Sequence, residues 1–483
     1  MDTKELKALL RRGERVDIEC KKATDTCPKS VWETYSSFAN TNGGYILLGV
    51  KENLNEKVSS RRFVFTGVTE PEKIITDFWN TINSDKVSSN ILFDEDVEIV
   101  PYEGKEIIAI HVPAADYRVK PVYINGNPMK GTYRRNHEGD YHCREAEVKE
   151  MFRDAADTGN DVGLLENYTM DDIDRDSLKS YRIEFEHRNP DHVWCEVDDE
   201  SFLRNMGGMG LDRRTGETWL TTAGLLMFGK GLSVRERFSN LRMDFIDLTN
   251  LAPGSRWTHR LTYDGTWENN LYQFRRRIMP WLVEGLKTPF RLEGMVRVDD
   301  TSVHRALREA VVNMFIHADY MIQGLLKVEK TADGYYFSNP GLLKISVEHI
   351  YEGGNAVARN PNLQTMFRMI GLGDNIGSGF PTILDAWAEE GWPQPKLSEN
   401  DDFDRVELLL QVGKRGTIGD DQANVGTDGQ IMSLLRGTKL KMKSISEKIG
   451  LSASGTSKAV KRLVDTGRLV KIRNGREIYY TAK

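Results

Sequence analysis

The sequence predicts a multidomain chain of α/β and α+β architecture, and three observations lead there. At 483 residues, and roughly 100–200 residues per domain, three or four domains are expected rather than one core. Hydrophobic residues make up 39% and charged residues 29%, with a mean hydropathy of -0.50, which suits a folded globular protein and excludes collagen, coiled coil and extended disorder. Helical and strand periodicities alternate along the chain. The longest apolar runs, residues 45–50 (YILLGV) and 224–228 (GLLMF), fall far short of the roughly 20 residues that cross a bilayer. Residues 1–20 lack the apolar core of a signal peptide, so a cytoplasmic protein without a membrane partner is expected.

Residues 1–157 read as a first domain, with a helix at 31–39, a Gly43-Gly44 turn, strands at 45–50 and 106–112, a strand at 133–135 and a closing helix at 144–155. Residues 158–285 read as a connector. It opens with an acidic linker and a helix after Asp176, and a glycine-rich stretch at 206–210 precedes an apolar helix at 220–229 that Thr221 and Thr222 could cap. Residues 286–412 combine a long helical pattern, strands at 324–329 and 334–338, and a glycine-rich close. Residues 413–427 read as a linker, and 428–483 as a separate module. No internal repeat is present.

Charge is unevenly spread. The net charge is -6, yet residues 428–483 hold 13 Lys+Arg against 4 Asp+Glu, so this module is +9 and the other 427 residues -15. A basic module on an acidic body is the asymmetry expected of nucleic-acid handling. Helical spacings at 429–436, 444–449 and 454–466 precede two strands around Asn474-Gly475, a strong hairpin signal. That order resembles the winged helix-turn-helix family, whose third helix enters the major groove. The resemblance implies DNA contact by Ser457, Lys458, Lys461 and Arg462, and by Arg473 and Arg476 on the wing; a protein-contact module is the alternative.

In LREAVVNMFIHADY, Leu307, Ala310, Val311 and Met314 form one apolar face, and Glu309, Asn313 and His317 fall at i, i+4 and i+8 on a second. A carboxylate one turn before an amide can orient a water while the amide oxygen helps hold magnesium. Further on come Asn339-Pro340-Gly341, Arg359-Asn360-Pro361 and Gly377-Ser378-Gly379. This ordered set resembles the C-terminal ATP-binding domain of RecG-like helicases and transcriptional regulators, a divergent relative of the GHKL ATPase fold, over roughly residues 201–397. It implies ATP and magnesium as cofactors, with Asn313 on the metal and Glu309 on a water. Asn339 and Gly341 would stand near adenine, Gly377 and Gly379 near the phosphates, and His317, Arg359 and Asn360 would join them. Two features depart from the family names. The GHKL Asp-x-Gly-x-Gly box is replaced by NPG, and no GxxxxGK[ST] phosphate loop supports a helicase.

Residues 38–50 (FANTNGGYILLGV) resemble the Schlafen AlbA-like signature, continuing through Gly131–Arg135 and the helix after Arg144. The resemblance covers residues 14–157. It implies nucleic-acid contact, through Lys21, Arg134 and Arg135 among others. Since some Schlafen proteins cut RNA with three carboxylates and a metal, Glu14, Glu19 and Glu52 become candidate ligands; an ion-pair network of Glu14, Glu19 and Lys21 that fixes the strand is the alternative. The favoured reading is a regulator, transcriptional or defence-linked, in which ATP bound beneath a lid at residues 351–360 controls DNA binding, with a homodimer expected. A metal-dependent nuclease acting on RNA or DNA is the rival, and a nucleotide-stabilised scaffold the third. Cys20, Cys27, Cys143 and Cys195 show no zinc spacing and are read as free thiols. Trp257 and Trp267 are read as packing residues.

Overall fold

A computed structural model describes the chain except residues 1–4, 7–16, 54–62, 137–138, 157–158, 253, 287–291, 294–295, 298–299, 355–356, 374–378, 401–402, 414–439, 443–444, 446–459, 461–462, 464–468, 475–476 and 483. It divides into two compact units, Met1–Val412 and Gly413–Lys483.

The N-terminal lobe of the first unit is built on a four-stranded sheet in the order Ile18–Lys21, Gly44–Leu48, Lys105–Val112, Val97–Tyr102. Its first pair is parallel and the others antiparallel, so the first two strands need a crossover. The helix Val31–Asn40 is in that crossover and buries Val31, Tyr35, Phe38 and Ala39. Asn40 locks the helix end: its Nδ2 donates to Val122 O (2.7 Å) and Tyr133 O (3.0 Å), and its Oδ1 accepts the Val122 N–H (2.8 Å). The expected strand 45–50 stops at Leu48. Gly49, at φ 89°, turns the chain, and Val50–Glu52 pairs with Phe63–Phe65 instead.

The second lobe carries a six-stranded sheet in the order His259–Thr262, Leu241–Asp247, Gly324–Thr331, Gly334–Pro340, Arg405–Gln411, Lys396–Asn400. The pair Leu241–Asp247 with Gly324–Thr331 is parallel, and the rest are antiparallel. Two of these strands precede residue 285, and one hydrophobic core runs from Leu165 to Leu410. The boundary expected at 285 is therefore not a boundary of the core. Sequence reasoning also misses Arg405–Gln411, although its buried Val406, Leu408 and Leu410 alternate with more exposed residues, the period of a half-buried strand.

Capping sets the helix starts. Asp174 accepts from Asp176 N and Ser177 N ahead of Arg175–Arg188, and the Thr221 hydroxyl accepts the Gly224 N–H ahead of Thr222–Phe228. The long helix of the third segment begins at Ser302, because Thr301 caps it, and ends at His317. It packs on the strand Gly334–Pro340 and against the helices Leu271–Val283, Pro361–Met369 and Gly379–Glu389.

In the second unit, Leu469–Asn474 and Glu477–Ala482 form an antiparallel hairpin, which Leu440–Lys441 extends to three strands. Of the three expected helices, only isolated positions such as Ile445, Val460 and Leu463, all buried, are described. No helix among the described residues is long and apolar enough to cross a membrane. The four cysteines are free thiols.

Candidate functional site

The helix Ser302–His317 turns its apolar residues, including Ala306, Leu307, Ala310, Val311 and Met314, into the core. Glu309, Asn313 and His317 remain half-buried along one stripe. On the neighbouring strand Gly334–Pro340, the alternation that buries Tyr335 and Phe337 puts Asn339 on the same face, toward this helix. The two elements form the wall and floor of a cleft that opens to solvent. Glu309, Asn313, His317, Asn339 and Gly379 all line it, beside an apolar surface that includes Phe337, Leu397, Val406 and Leu408. Separate stretches of sequence thus meet at one place.

Gly379 opens the helix Gly379–Glu389, and a Cβ there would collide with Glu309 Oε1 and stand 3.2 Å from Asn313 Nδ2. A larger residue there would have to push the Glu309 carboxylate aside. Burial, with the Arg359 and Lys344 cations, pushes the His317 imidazole down to about 4, so at neutral pH it offers a neutral ring to the cleft. Gly353 and Gly354, at φ 75° and 89°, carry the chain out of the helix Val347–Glu352 at the start of the expected lid. Gly377 lies outside the described residues.

Three residues expected at the nucleotide are placed elsewhere. Arg359 is fully buried: its Nε and Nη2 donate to Asp154 (2.9 and 2.6 Å), Nη2 also donates to Leu342 O (2.9 Å), and Nη1 donates to His317 O (3.0 Å). Asn360 donates to Ala318 O (2.7 Å) and Ile316 O (3.2 Å), closing the end of the long helix. Gly341, at φ 90°, leaves room for the Arg359 guanidinium, which any Cβ would strike. These residues build a joint rather than a ligand surface. Its other side is the helix Glu145–Ala155 at the end of the N-terminal lobe. There Glu150 accepts the Leu342 N–H (3.1 Å), Arg153 pairs with Asp319 (2.5 Å) and Arg144 with Asp404 (2.7 Å).

Burial pushes the Glu150 carboxyl up to about 7 against the pull of Arg359. The folded chain thus keeps a proton that an unfolded glutamate releases near 4.5, so this contribution to stability is full below about pH 4.5 and is lost as pH rises through about 7. Glu150→Gln is expected to flatten that slope, read as the urea midpoint of the first unit against pH; an unchanged slope would assign the titration to another group.

In the N-terminal lobe, Glu19 pairs with Lys21 (3.0 Å) and Arg135 (3.0 Å). Arg135 also pairs with Asp140 (3.0 Å), donates to Ile18 O (3.1 Å) and lies over the Phe38 ring. With 1% of its side chain exposed, Arg135 is a core residue and not a phosphate contact. Arg134 pairs with Glu147 (2.5 Å), and Lys21 is turned onto Glu19. Glu52 sits on a strand opposite Phe63, and Glu14 lies outside the described residues. Among the described residues no cluster of three His, Cys, Asp or Glu could hold a metal. In the second unit Ser457, Lys458, Lys461, Arg462 and Arg476 also lie outside, and Arg473 is described only as a strand position.

Residues 14–146 match the family described as "Schlafen, AlbA_2", and residues 326–408 the family described as "Putative ATP-dependent DNA helicase recG C-terminal". The N-terminal segment is thus similar to Schlafen AlbA domains and the later one to the RecG C-terminal domain. Residues 149–244 match a domain of unknown function, DUF8451. No curated protein matches the chain. Among solved structures, the DIP2311 protein from Corynebacterium diphtheriae is 17% identical over 99% of this chain and 96% of its own, with a TM-score of 0.41. The N-terminal domain of a RecG-related protein from Nitrosomonas europaea is 29% identical over 29% of this chain and 89% of its own, with a TM-score of 0.21. The AlbA-like and RecG-like domains point to a nucleic-acid-binding, ATP-related protein. The cleft lies at the RecG-like domain, and the joint of Arg359 ties it to the AlbA-like lobe. Sequence reasoning misses Lys344 on the cleft wall, because nothing in NPGLLK separates it from an exposed lysine.

Proposed function

We propose that the chain is an ATP-binding, nucleic-acid-binding regulator in which nucleotide state controls DNA binding, in a transcriptional or defence-linked setting in the cytoplasm. The convergence of Glu309, Asn313, His317, Asn339 and Gly379 on one cleft carries this reading. The residues present fit a magnesium nucleotide. Glu309 and Asn313 offer hard oxygen donors one helical turn apart, the ligand type magnesium prefers, and Gly379 keeps its helix start clear of them. The apolar floor suits a base, and Asn339, buried there, offers an amide to its edge. The metal, when bound, neutralises phosphate charge; Glu309 orients a water beside it. A divergent GHKL sandwich for the six-stranded lobe and a winged helix for residues 428–483 belong to the same proposal, as does dimerisation on nucleotide binding.

Cleavage by the N-terminal carboxylates is the less favoured reading, because Glu19 already has two cationic partners. One experiment separates the two. Purified protein and Glu19→Ala are incubated with labelled duplex DNA, single-stranded DNA and transfer RNA, with magnesium or manganese, with and without ATP. Retention of intact duplex that changes with ATP and ignores the substitution is expected. Cutting that vanishes in Glu19→Ala would replace the regulator by a nuclease.

A further inference from the structure

Residues 343–345 also line the cleft, and the middle one is a lysine. Lys344 is half-buried, and among the described residues its ammonium makes no ion pair. It rests instead over the ring of Tyr117, 4.4 Å from the centroid, and Tyr117 belongs to the AlbA-like lobe. The two carboxylates that act on it electrostatically are already engaged: Asp154 by Arg359 and Asp116 by Arg118. A desolvated cation without a counter-ion is costly, and burial does lower its proton affinity, with Arg359 adding to the effect against Asp154 and Asp116. A cationic group of this kind on a cavity wall is matched by an anionic ligand.

The backbone around Lys344 is pinned. Leu342 gives its N–H to Glu150 and its carbonyl to Arg359, and Arg359 also holds the His317 carbonyl at the end of the helix that lines the cleft. With Leu342 held by the buried joint and the Leu343 N–H given to Glu399 (2.6 Å), the long side chain of Lys344 is the part that can respond to a ligand. It has two partners within its reach in kind: the face of a neutral ring, and any negative oxygen placed in the cleft. The second is the stronger.

We infer that Lys344 is the anion-contacting residue of the cleft and the element that reports its occupancy, leaving the Tyr117 ring of the AlbA-like lobe for a phosphate of the bound nucleotide. The inference rests on the nucleotide reading of the cleft and names how that site regulates. Removal of the ammonium leaves the Tyr117 ring with only the Arg118 guanidinium, 5.8 Å from its centroid, as cationic neighbour among the described residues, in the exposed turn that holds the Asp116–Arg118 pair, so the AlbA-like lobe senses the ligand without movement of the buried joint.

The test compares the full chain with Lys344→Met and Tyr117→Leu, after circular dichroism has shown all three folded. Affinity is measured for magnesium ATP, for adenosine and for inorganic tripolyphosphate, together with the factor by which ATP changes affinity for duplex DNA. Lys344→Met is expected to weaken ATP and tripolyphosphate about tenfold, the worth of one charged hydrogen bond, with adenosine changed less than about twofold. Tyr117→Leu is expected to bind ATP at least as tightly as the parent while its ATP-dependent DNA factor falls toward one. Parent-like ATP binding in Lys344→Met overturns the anion contact, and a parent-like DNA factor in Tyr117→Leu overturns the reporting role. A parent chain that binds ATP while its DNA affinity ignores it also overturns the reporting role. A parent that binds neither ATP nor adenosine overturns the nucleotide reading itself, and this inference with it.

Discussion

Replacing Arg359 by leucine is expected to destabilise the first unit by about 3–5 kcal/mol, the cost of leaving buried charge without its partner. The guanidinium is bonded to Asp154 through two nitrogens and lies 3.4 Å from Glu150, and the arginine side chain is only 2% exposed. Its loss strands the Asp154 carboxylate and two backbone carbonyls, those of His317 and Leu342, in a dry joint. Arg144→Ala provides the contrast. Its partner is also across the joint, at Asp404, but 58% of the arginine side chain is exposed, so solvent screening leaves about 0–1 kcal/mol. The measurement is the urea unfolding midpoint of the first unit for both variants at pH 7. Equal small losses would show that the joint is wet and that Arg359 does not hold the lobes together.

Asn313→Ala is expected to abolish the magnesium-dependent part of ATP binding, losing at least about the 10- to 100-fold that follows removal of even an outer-shell group at a metal. Asn313 lines the cleft from the helix stripe, it is only half-buried, and the apolar face of the helix does not use it. The fold should survive. Gly379→Ala is expected to do similar damage by a different route, since its Cβ meets Glu309 Oε1 and displaces the carboxylate. Isothermal calorimetry with ATP, with and without magnesium, distinguishes the two: Asn313→Ala keeps metal-free binding, whereas Gly379→Ala weakens both. Magnesium-dependent binding equal to the parent in Asn313→Ala would remove Asn313 from the site.

Much of the cleft is legible in the order of residues. The helical period alone puts Glu309, Asn313 and His317 on a face distinct from the apolar one, because residues four apart on a helix always share a side. The Gly43-Gly44 turn and the crossover helix ahead of it are legible for a similar local reason. Gly43 sits at φ 76°, and a Cβ there would lie 2.9 Å from the Ala114 N, so the glycine announces its own conformation. The strand Arg405–Gln411 carries a local signal of the same kind in the alternation of Val406, Leu408 and Leu410 with more exposed neighbours.

The rest depends on partners far away in the chain. Arg359 and Asn360 sit in a motif that, read along the sequence, belongs to the nucleotide. In space the first answers to Asp154 and the second to the carbonyl of Ala318. Arg134, Arg135 and Lys21 read as cations offered to phosphate, and Glu147, Asp140 and Glu19 take them. The sequence by itself determined the chemistry of the helix stripe, the glycine turns and the family of the two domains, since these follow from residue identity and spacing over a few turns or strands. Tertiary structure alone decided which charges are spent on one another and which remain for a ligand, because an ion pair depends on distance in space and on burial, and neither is written in the order of residues.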